Sequence, residues 1–276
     1  MGILKAGLIG EHISRTRLPL ALDIMCKMHG LTLDFELIDT ADRPGFDFVA
    51  TVDGLRAAGW TGVTVTHPYK TNAAAYAGAG MLAGLRGLGA SNTLVFSDPL
   101  VGHNTDFTGF TGAWRAQMTR PPGRVAMAGA GGVARALGPA LAQLGATDIA
   151  VWDMDRTRAQ TLVDLIGPVS RVVQVDDAPD ITARADGLVN ATPLGMREYP
   201  GSAFDAALLG PQTWAFDAVY TPTDTAFLTA ARAAGLATLS GFALFQHMAL
   251  GTFAAYTGIV PDAAVVLPKL DALRPE

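Results

Sequence analysis

"GRVAMAGAGGVARALGPALAQLGATDIAVWDMDRTRA", residues 123–159, decides the fold. The apolar run Val125–Ala128 reads as a short buried strand, "VARALGPALAQLG" as a helix, and "IAVWD" as a second strand ending in Asp153. Between the first strand and the helix, Gly129, Gly131 and Ala134 form a G-x-G-x-x-A turn. The first glycine permits the tight turn. The second lets the backbone of Ala130, Gly131, Gly132 and Val133 approach a pyrophosphate, and the alanine lets the helix pack closely. The glycine pattern alone is weak evidence. Its strand–helix setting, with an acid about 20 residues further on, makes it a dinucleotide-binding unit; a packing turn in an unrelated α/β unit is the alternative. Asp153 would accept hydrogen bonds from the adenosine-ribose hydroxyls and repel a 2′-phosphate, and Arg156 and Arg158 lie beyond a second acid, Asp155. NAD is therefore expected in preference to NADP. A bare helix cap at Asp153 is the structural alternative.

Outward from this unit, apolar or β-branched runs alternate with Ala/Leu-rich helical stretches on both sides, the mark of βαβ units and largely parallel sheets. The first series runs through "KAGLIG", "TLDFELID", "TGVTVTHP" and "SNTLVFSD". The helical "FTGFTGAWRAQM" then leads into a second series containing "DIAVWD", "GLVNATP", "AFDAVY" and "ATLSG". The expectation is an α/β protein of two domains: an N-terminal α/β domain over 1–106 and a Rossmann dinucleotide-binding domain over 107–248. A C-terminal helix, 249–276, is expected to pack back on the first.

At 276 residues the chain can bury a sizeable core, and with 50% hydrophobic and 16% charged residues it is a folded globular protein. The net charge of −5 and the absence of a basic run disfavour a nucleic-acid partner. No apolar stretch is long enough to span a bilayer, and "MGILKAGLIG" carries no secretion signal, so the expected compartment is the cytoplasm. Cys26, the single cysteine, reads as a buried structural thiol. The five histidines lack metal-ligand spacing and no metal is expected. Neither a nucleophile elbow nor a Walker lysine pattern occurs.

In "VTVTHPYKTN" a strand ends in His-Pro and Lys70 falls at the start of a helix. A lysine at a sheet's C-terminal edge can move a proton to or from a substrate oxygen, although most lysines are solvated surface groups. "SNTLV" and "GHNTDFTGF" add Asn92, Asn104, Thr105 and Asp106 at strand ends or turns, and a Lys–Asp pair at one edge would form an acid/base couple.

Together, "GLIG", "TVTHPYK", "GASNTL", "GHNTDFTGF", "AGAGGVARA", "NATPLGM" and "DAVYTP" resemble the shikimate/quinate dehydrogenase family over nearly the whole chain. The resemblance implies a first domain that binds substrate, a second that binds NAD(P), and Lys70 and Asp106 as the catalytic pair. It places Asn92 on the substrate hydroxyls and makes Thr16, beside Ser14, a carboxylate donor. Tyr220 would close over the substrate, with Asn190, Thr192, Pro193 and Met196 beside the nicotinamide. An acid at Asp153, where NADP-dependent members carry Asn-Arg-Thr, resembles the NAD-using quinate/shikimate branch. The implied partner is a small ring hydroxy acid or keto acid, and a monomer or homodimer is expected. Three departures bear on the substrate: Leu18 where a second hydroxyl is usual, Thr64 in place of an asparagine, and Met248 at the usual glutamine, with Gln246 two residues early. A non-catalytic dinucleotide or metabolite sensor, and a dehydrogenase of another cyclic substrate, are the competing readings. Retention of both Lys70 and Asp106 counts against the sensor.

Overall fold

The computed structural model describes residues 2–275. The first half runs β1 (Gly2–Gly10), α1 (Leu18–Met28), β2 (Leu31–Asp39), α2 (Phe48–Ala57), β3 (Gly62–Val65), α3 (Lys70–Ala77), β4 (Thr93–Val95) and β5 (Val101–His103). Then follow α4 (Thr105–Gln117), β6 (Gly123–Ala128), α5 (Ala134–Gln143), β7 (Ala146–Trp152), α6 (Arg156–Ile166), β8 (Ser170–Val172), α7 (Ala178–Arg184) and β9 (Gly187–Asn190). The chain ends with β10 (Trp214–Asp217), α8 (Ala226–Ala233), β11 (Ala237–Ser240), α9 (Gly241–Thr257) and α10 (Ala263–Leu270). Two compact units result. One holds the residues up to Thr105 together with Met248–Leu273; the other holds Asp106–His247 and the chain end from Arg274.

The first unit is built on a five-stranded sheet of order β2-β1-β3-β4-β5. β1 pairs in parallel with β2 and β3, whereas β3–β4 and β4–β5 are antiparallel. The short link of residues 96–100 cannot supply the crossover that a parallel pair needs, so β5 returns beside β4 as a hairpin. Ile9, Leu22, Met25, Val63, Leu94 and Phe253 are fully buried in this unit. Gly62 is glycine because a Cβ there would lie 2.6 Å from the Tyr256 ring. The stretch 249–276, expected as one helix, is the end of α9, then α10 and a short 3-10 turn at Asp271–Leu273; Asp262 caps α10 and ends the continuity.

In the second unit all six strands are parallel, in the order β11-β10-β9-β6-β7-β8. This is the doubly wound Rossmann order, reversing direction at β6 and β9. Phe110 and Trp114 of α4 pack edge-on against Phe216 and Trp214 of β10, at 4.9 and 4.7 Å between ring centres. Burying each such ring is worth about 1.5–3 kcal/mol, which fixes α4 to the sheet. Cys26 is buried on α1; burial, with Asp23 adding, pushes its thiol up to about 11.

Candidate active site

In the first unit the loop after β1 is organised by a residue the sequence reading did not single out. Asp39 ends β2 in register with Gly10, and its carboxylate accepts from the N–H groups of His12 (3.1 Å), Ile13 (3.0 Å) and Ala41 (3.1 Å). The Ala41 N–H first, and then those of Ile13 and His12, hold this carboxyl below its usual range against partial desolvation. His12 stands at φ 55°, a left-handed conformation rare outside glycine, and its anchored N–H helps keep it there. The sequence shows only an acid closing a strand; its task appears once β2 lies in register beside β1. On this loop Ser14 is exposed and Thr16 is half-buried. Thr16 Oγ1 accepts from the Leu18 N–H at 3.3 Å. Leu18 itself opens α1 as a buried core residue. An open pocket of about 600 Å³ flanks the neighbouring turn; Glu11, Asp42, Arg43, Phe46 and Tyr69 lie along it, mixing both signs of charge.

Lys70 is the first residue of α3, as the sequence suggested, and its carbonyl accepts from the Ser91 N–H at 2.9 Å. That bond ties the start of α3 to the residue preceding Asn92. Asn92 Oδ1 accepts the Thr105 N–H (2.6 Å) and lies 3.1 Å from Thr105 Oγ1 and 3.2 Å from Thr93 Oγ1. Donors therefore crowd its oxygen and fix which way the amide faces. Asn104 donates to the Ala90 carbonyl at 3.0 Å. Thr105 Oγ1 continues the string to Thr252 Oγ1 (3.1 Å), and Thr252 donates to Met248 Sδ at 3.5 Å. Asp106 is the next residue along the chain, in the first turn of α4. Local structure thus gathers the head of α3, Asn92, Asn104 and Thr105 into one buried polar cluster. Thr64 stands apart from it: its hydroxyl lies 2.7 Å from Tyr256 OH, and both residues are buried. The Thr64 side chain is committed to a core partner, and desolvation pushes the Tyr256 phenol up, with the Thr64 contact opposing.

In the second unit the glycine turn joins β6 to α5. Gly129 has φ 94°, and a Cβ on it would sit 2.8 Å from the Ala191 carbonyl, so both torsion and space demand glycine. At Gly131 and Gly132 a Cβ would meet nothing within 4 Å, leaving an open cradle at the head of α5. Arg135, one residue after the turn, carries an enclosed Nε without a hydrogen-bond partner, a donor to spare at a helix end that attracts anions. Asp153 follows β7. Its Oδ2 accepts the Ala130 N–H and its Oδ1 the Asp155 N–H, each at 2.8 Å. Asp155, not Asp153, caps α6, accepting from Thr157 and Arg158 N–H, and it also pairs with the Arg158 guanidinium at 3.4 Å. The two acids thus have separate tasks, and a nearby cation is already engaged. These features fit a dinucleotide with a free ribose 2′-hydroxyl: Gly129–Val133 for the pyrophosphate and Asp153 for the ribose.

Across the switch point, Asn190 ends β9 in register with Ala128 of β6. Its Oδ1 accepts from Thr192 N–H and Oγ1 (3.0 and 2.7 Å), and its Nδ2 donates to the Leu194 carbonyl at 2.9 Å, folding the loop through Pro193 to Met196. Tyr220 stacks on Phe245 of α9, with ring centres 5.7 Å apart and planes within 3°. Gln246, the next residue of α9, is buried. Among the described residues, no cluster of three or more His, Cys, Asp or Glu could hold a metal ion, and no helix is long and apolar enough to cross a membrane.

A mixed α/β unit with a polar cluster at its strand ends, and a Rossmann unit with an acid on the glycine turn, define a two-unit protein of the nucleotide-dependent dehydrogenase class. The family model described as the shikimate dehydrogenase substrate binding domain matches residues 8–94. The chain is 38% identical to the quinate/shikimate dehydrogenase (NAD(+)) of Corynebacterium efficiens, over 93% of each chain. It is 35% identical to the shikimate dehydrogenase (NADP(+)) of Streptomyces avermitilis, over 97% of this chain and 94% of that one. The solved structure of quinate dehydrogenase from Corynebacterium glutamicum in complex with NAD superposes with a TM-score of 0.91 at 33% identity, covering 98% of this chain and 99% of the other. The chain belongs to the shikimate/quinate dehydrogenase family.

Proposed function

We propose that the protein is an NAD-dependent oxidoreductase that interconverts a ring alcohol of a shikimate- or quinate-like acid and the corresponding 3-dehydro ketone. The observation that carries this reading is Asp153: a carboxylate fixed to the Ala130 N–H of the glycine turn, where a ribose binds and a 2′-phosphate is repelled. The relatives named for NAD and for quinate or shikimate support the same assignment. NAD supplies the hydride acceptor when bound. In the oxidation direction Lys70, helped by Asp106, takes the hydroxyl proton as the carbonyl forms, and in reduction it returns that proton. Asn92, its amide fixed by the Thr105 N–H, is suited to hold the neighbouring hydroxyl. Ser14, Thr16, Tyr220 and Gln246 complete the substrate contacts in this reading.

Leu18 and Met248 bring apolar side chains where hydroxyl and amide groups are usual in the family, and each lost partner of a desolvated substrate group costs about 1–3 kcal/mol. Shikimate and quinate are therefore expected to be poorer substrates than ring acids with fewer hydroxyls. The test is NADH formation with shikimate, quinate and less hydroxylated ring acids, offered with NAD and with NADP, for the parent and for Leu18→Ser combined with Met248→Gln. Efficient shikimate turnover by the parent, unimproved by the double change, would show that Leu18 and Met248 are compensated and would overturn the expected preference for less hydroxylated acids. Absence of turnover on the whole panel would favour the sensor.

A further inference from the structure

Asp217 ends β10 with no exposure to solvent, and the chemistry above gives it no task. Its Oδ1 accepts from Asn190 Nδ2 (2.9 Å) and from the Val219 N–H (3.0 Å), and its Oδ2 accepts from the Thr225 hydroxyl at 2.6 Å. Three segments meet at this one carboxylate: the loop that Asn190 folds, the turn leading to Tyr220, and the cap of α8, where Thr225 Oγ1 also accepts from the Leu228 N–H. Gly195, at φ 108°, is pressed against the cap, since a Cβ on it would lie 3.3 Å from Thr225 Cγ2. The loop begins beside the glycine turn, with Ala191 N–H donating to Ala128 O at 2.8 Å. All three partners of the carboxylate donate to it, the arrangement of the ionised form, and two of them, the Asn190 amide nitrogen and the Val219 N–H, can only donate. Its hydrogen-bond partners, Asn190 from β9, the Val219 N–H and Thr225 from the α8 cap, are uncharged, as are Ser240, its register partner on β11, and Gly195 of the loop.

We propose that the ionised Asp217 carboxylate is a positioning residue that sets the shape of the Asn190–Met196 loop and through it the binding of the nicotinamide half of NAD. This rests on reading that loop as the nicotinamide contact. An uncompensated buried carboxylate is hard to keep ionised, and burial pushes Asp217 up to about 6, with Thr225, Val219 and Asn190 opposing. Below about that pH a proton on Oδ2 turns that acceptor into a donor, and the Thr225 hydroxyl must turn from donor to acceptor to meet it, which re-orients the contact at the α8 cap.

The experiment compares NAD with ADP-ribose, which lacks the nicotinamide ring, by calorimetric titration of the full chain. Asp217→Asn replaces one acceptor with an amide that faces a donor, and Thr225→Val removes, with little change of volume, both the hydroxyl donor to Asp217 and the acceptor for the Leu228 N–H. The expected result is a loss of NAD affinity of about tenfold or more in either variant, with ADP-ribose affinity within about twofold of the parent and with Thr225→Ser restoring NAD binding. For the parent, the NAD advantage over ADP-ribose should fall as pH drops below about 6, while for Asp217→Asn it should be flat. Equal losses for both ligands would mean general damage and overturn the proposal, as would unchanged NAD affinity in folded Asp217→Asn or Thr225→Val. Met196→Ala separates this from the underlying reading. If it leaves NAD affinity unchanged, the loop is not the nicotinamide contact; if it weakens NAD while Asp217→Asn does not, the loop reading stands and the role of Asp217 falls.

Discussion

Lys70 takes its place from the strand end before it and the Ser91 N–H on its carbonyl, so its ammonium starts from a fixed backbone at the head of α3. Removing a general acid/base lowers turnover by roughly 10²–10⁴-fold. Lys70→Ala is expected to lose kcat on that scale while NAD affinity, measured by titration, stays near the parent's; an intact kcat would remove Lys70 from the chemistry. Asp153 is the residue proposed to set cofactor choice. Against a 2′-phosphate it loses ribose hydrogen bonds and adds like-charge repulsion, together about 3 kcal/mol, or roughly two orders of magnitude in kcat/KM. The parent should prefer NAD by about that factor and Asp153→Asn should narrow the gap, whereas equal kcat/KM for the two cofactors in the parent would refute the assignment. The positions of both residues in the fold were legible in the sequence because each follows a recognisable strand at a fixed remove. Thr64 was not: its pairing with Tyr256, 192 positions away, is a contact that no local pattern announces.

At the scale of elements, the long periodic segments could be read, and the short ones depended on their neighbours. The strands β6, β7, β9, β10 and β11 and the helices α4, α8 and α9 announce themselves by apolar runs of the right period. β4 was read within "SNTLVFSD", but β5 and the antiparallel direction of the pair were not, because a three-residue strand carries too little pattern and only the short link between them sets their direction. Asp39 belongs to the same class: an acid whose task is visible only once β2 lies in register beside β1. Its three N–H bonds define the loop carrying Ser14 and Thr16. Asp39→Ala should therefore relax residues 11–17, raising the substrate KM by about 10- to 100-fold through misplacement of the contacting groups, with NAD affinity retained. Steady-state kinetics together with an NAD titration checks this, and a fall in NAD affinity of the same size would show that the change had spread beyond the loop.

For the molecule as a whole, the groups with displaced ionisation pull stability in opposite directions as pH changes. Asp217 is raised to about 6 from 3.8, so the folded state holds its proton more tightly than the unfolded chain. The stability it contributes is fully present below about pH 4 and is lost as pH rises through 6, by at most about 3 kcal/mol. His103 and His247 run the other way. Burial lowers both, so their contribution is present above the unfolded value near 6.5 and is lost as pH falls. The carboxylates held low, Asp186 by the Arg124 side chain first and Asp224 by the Arg232 side chain first, lose their contribution only at lower pH still. They are largely exposed, so solvent screening keeps that contribution small. The parent's curve alone is a sum of these terms and identifies none of them. The difference between parent and Asp217→Asn isolates one, because the histidines and surface pairs are common to both chains. Urea unfolding of the second unit should show the parent's advantage over the variant shrinking as pH rises from about 4.5 to about 7.5, towards the 3 kcal/mol limit. A pH-independent difference would mean that Asp217 titrates alike folded and unfolded. A shrinking difference would mean that near neutral pH the fold keeps an ionised carboxylate at a cost in stability, as expected where a site needs a geometry that the core alone would not choose.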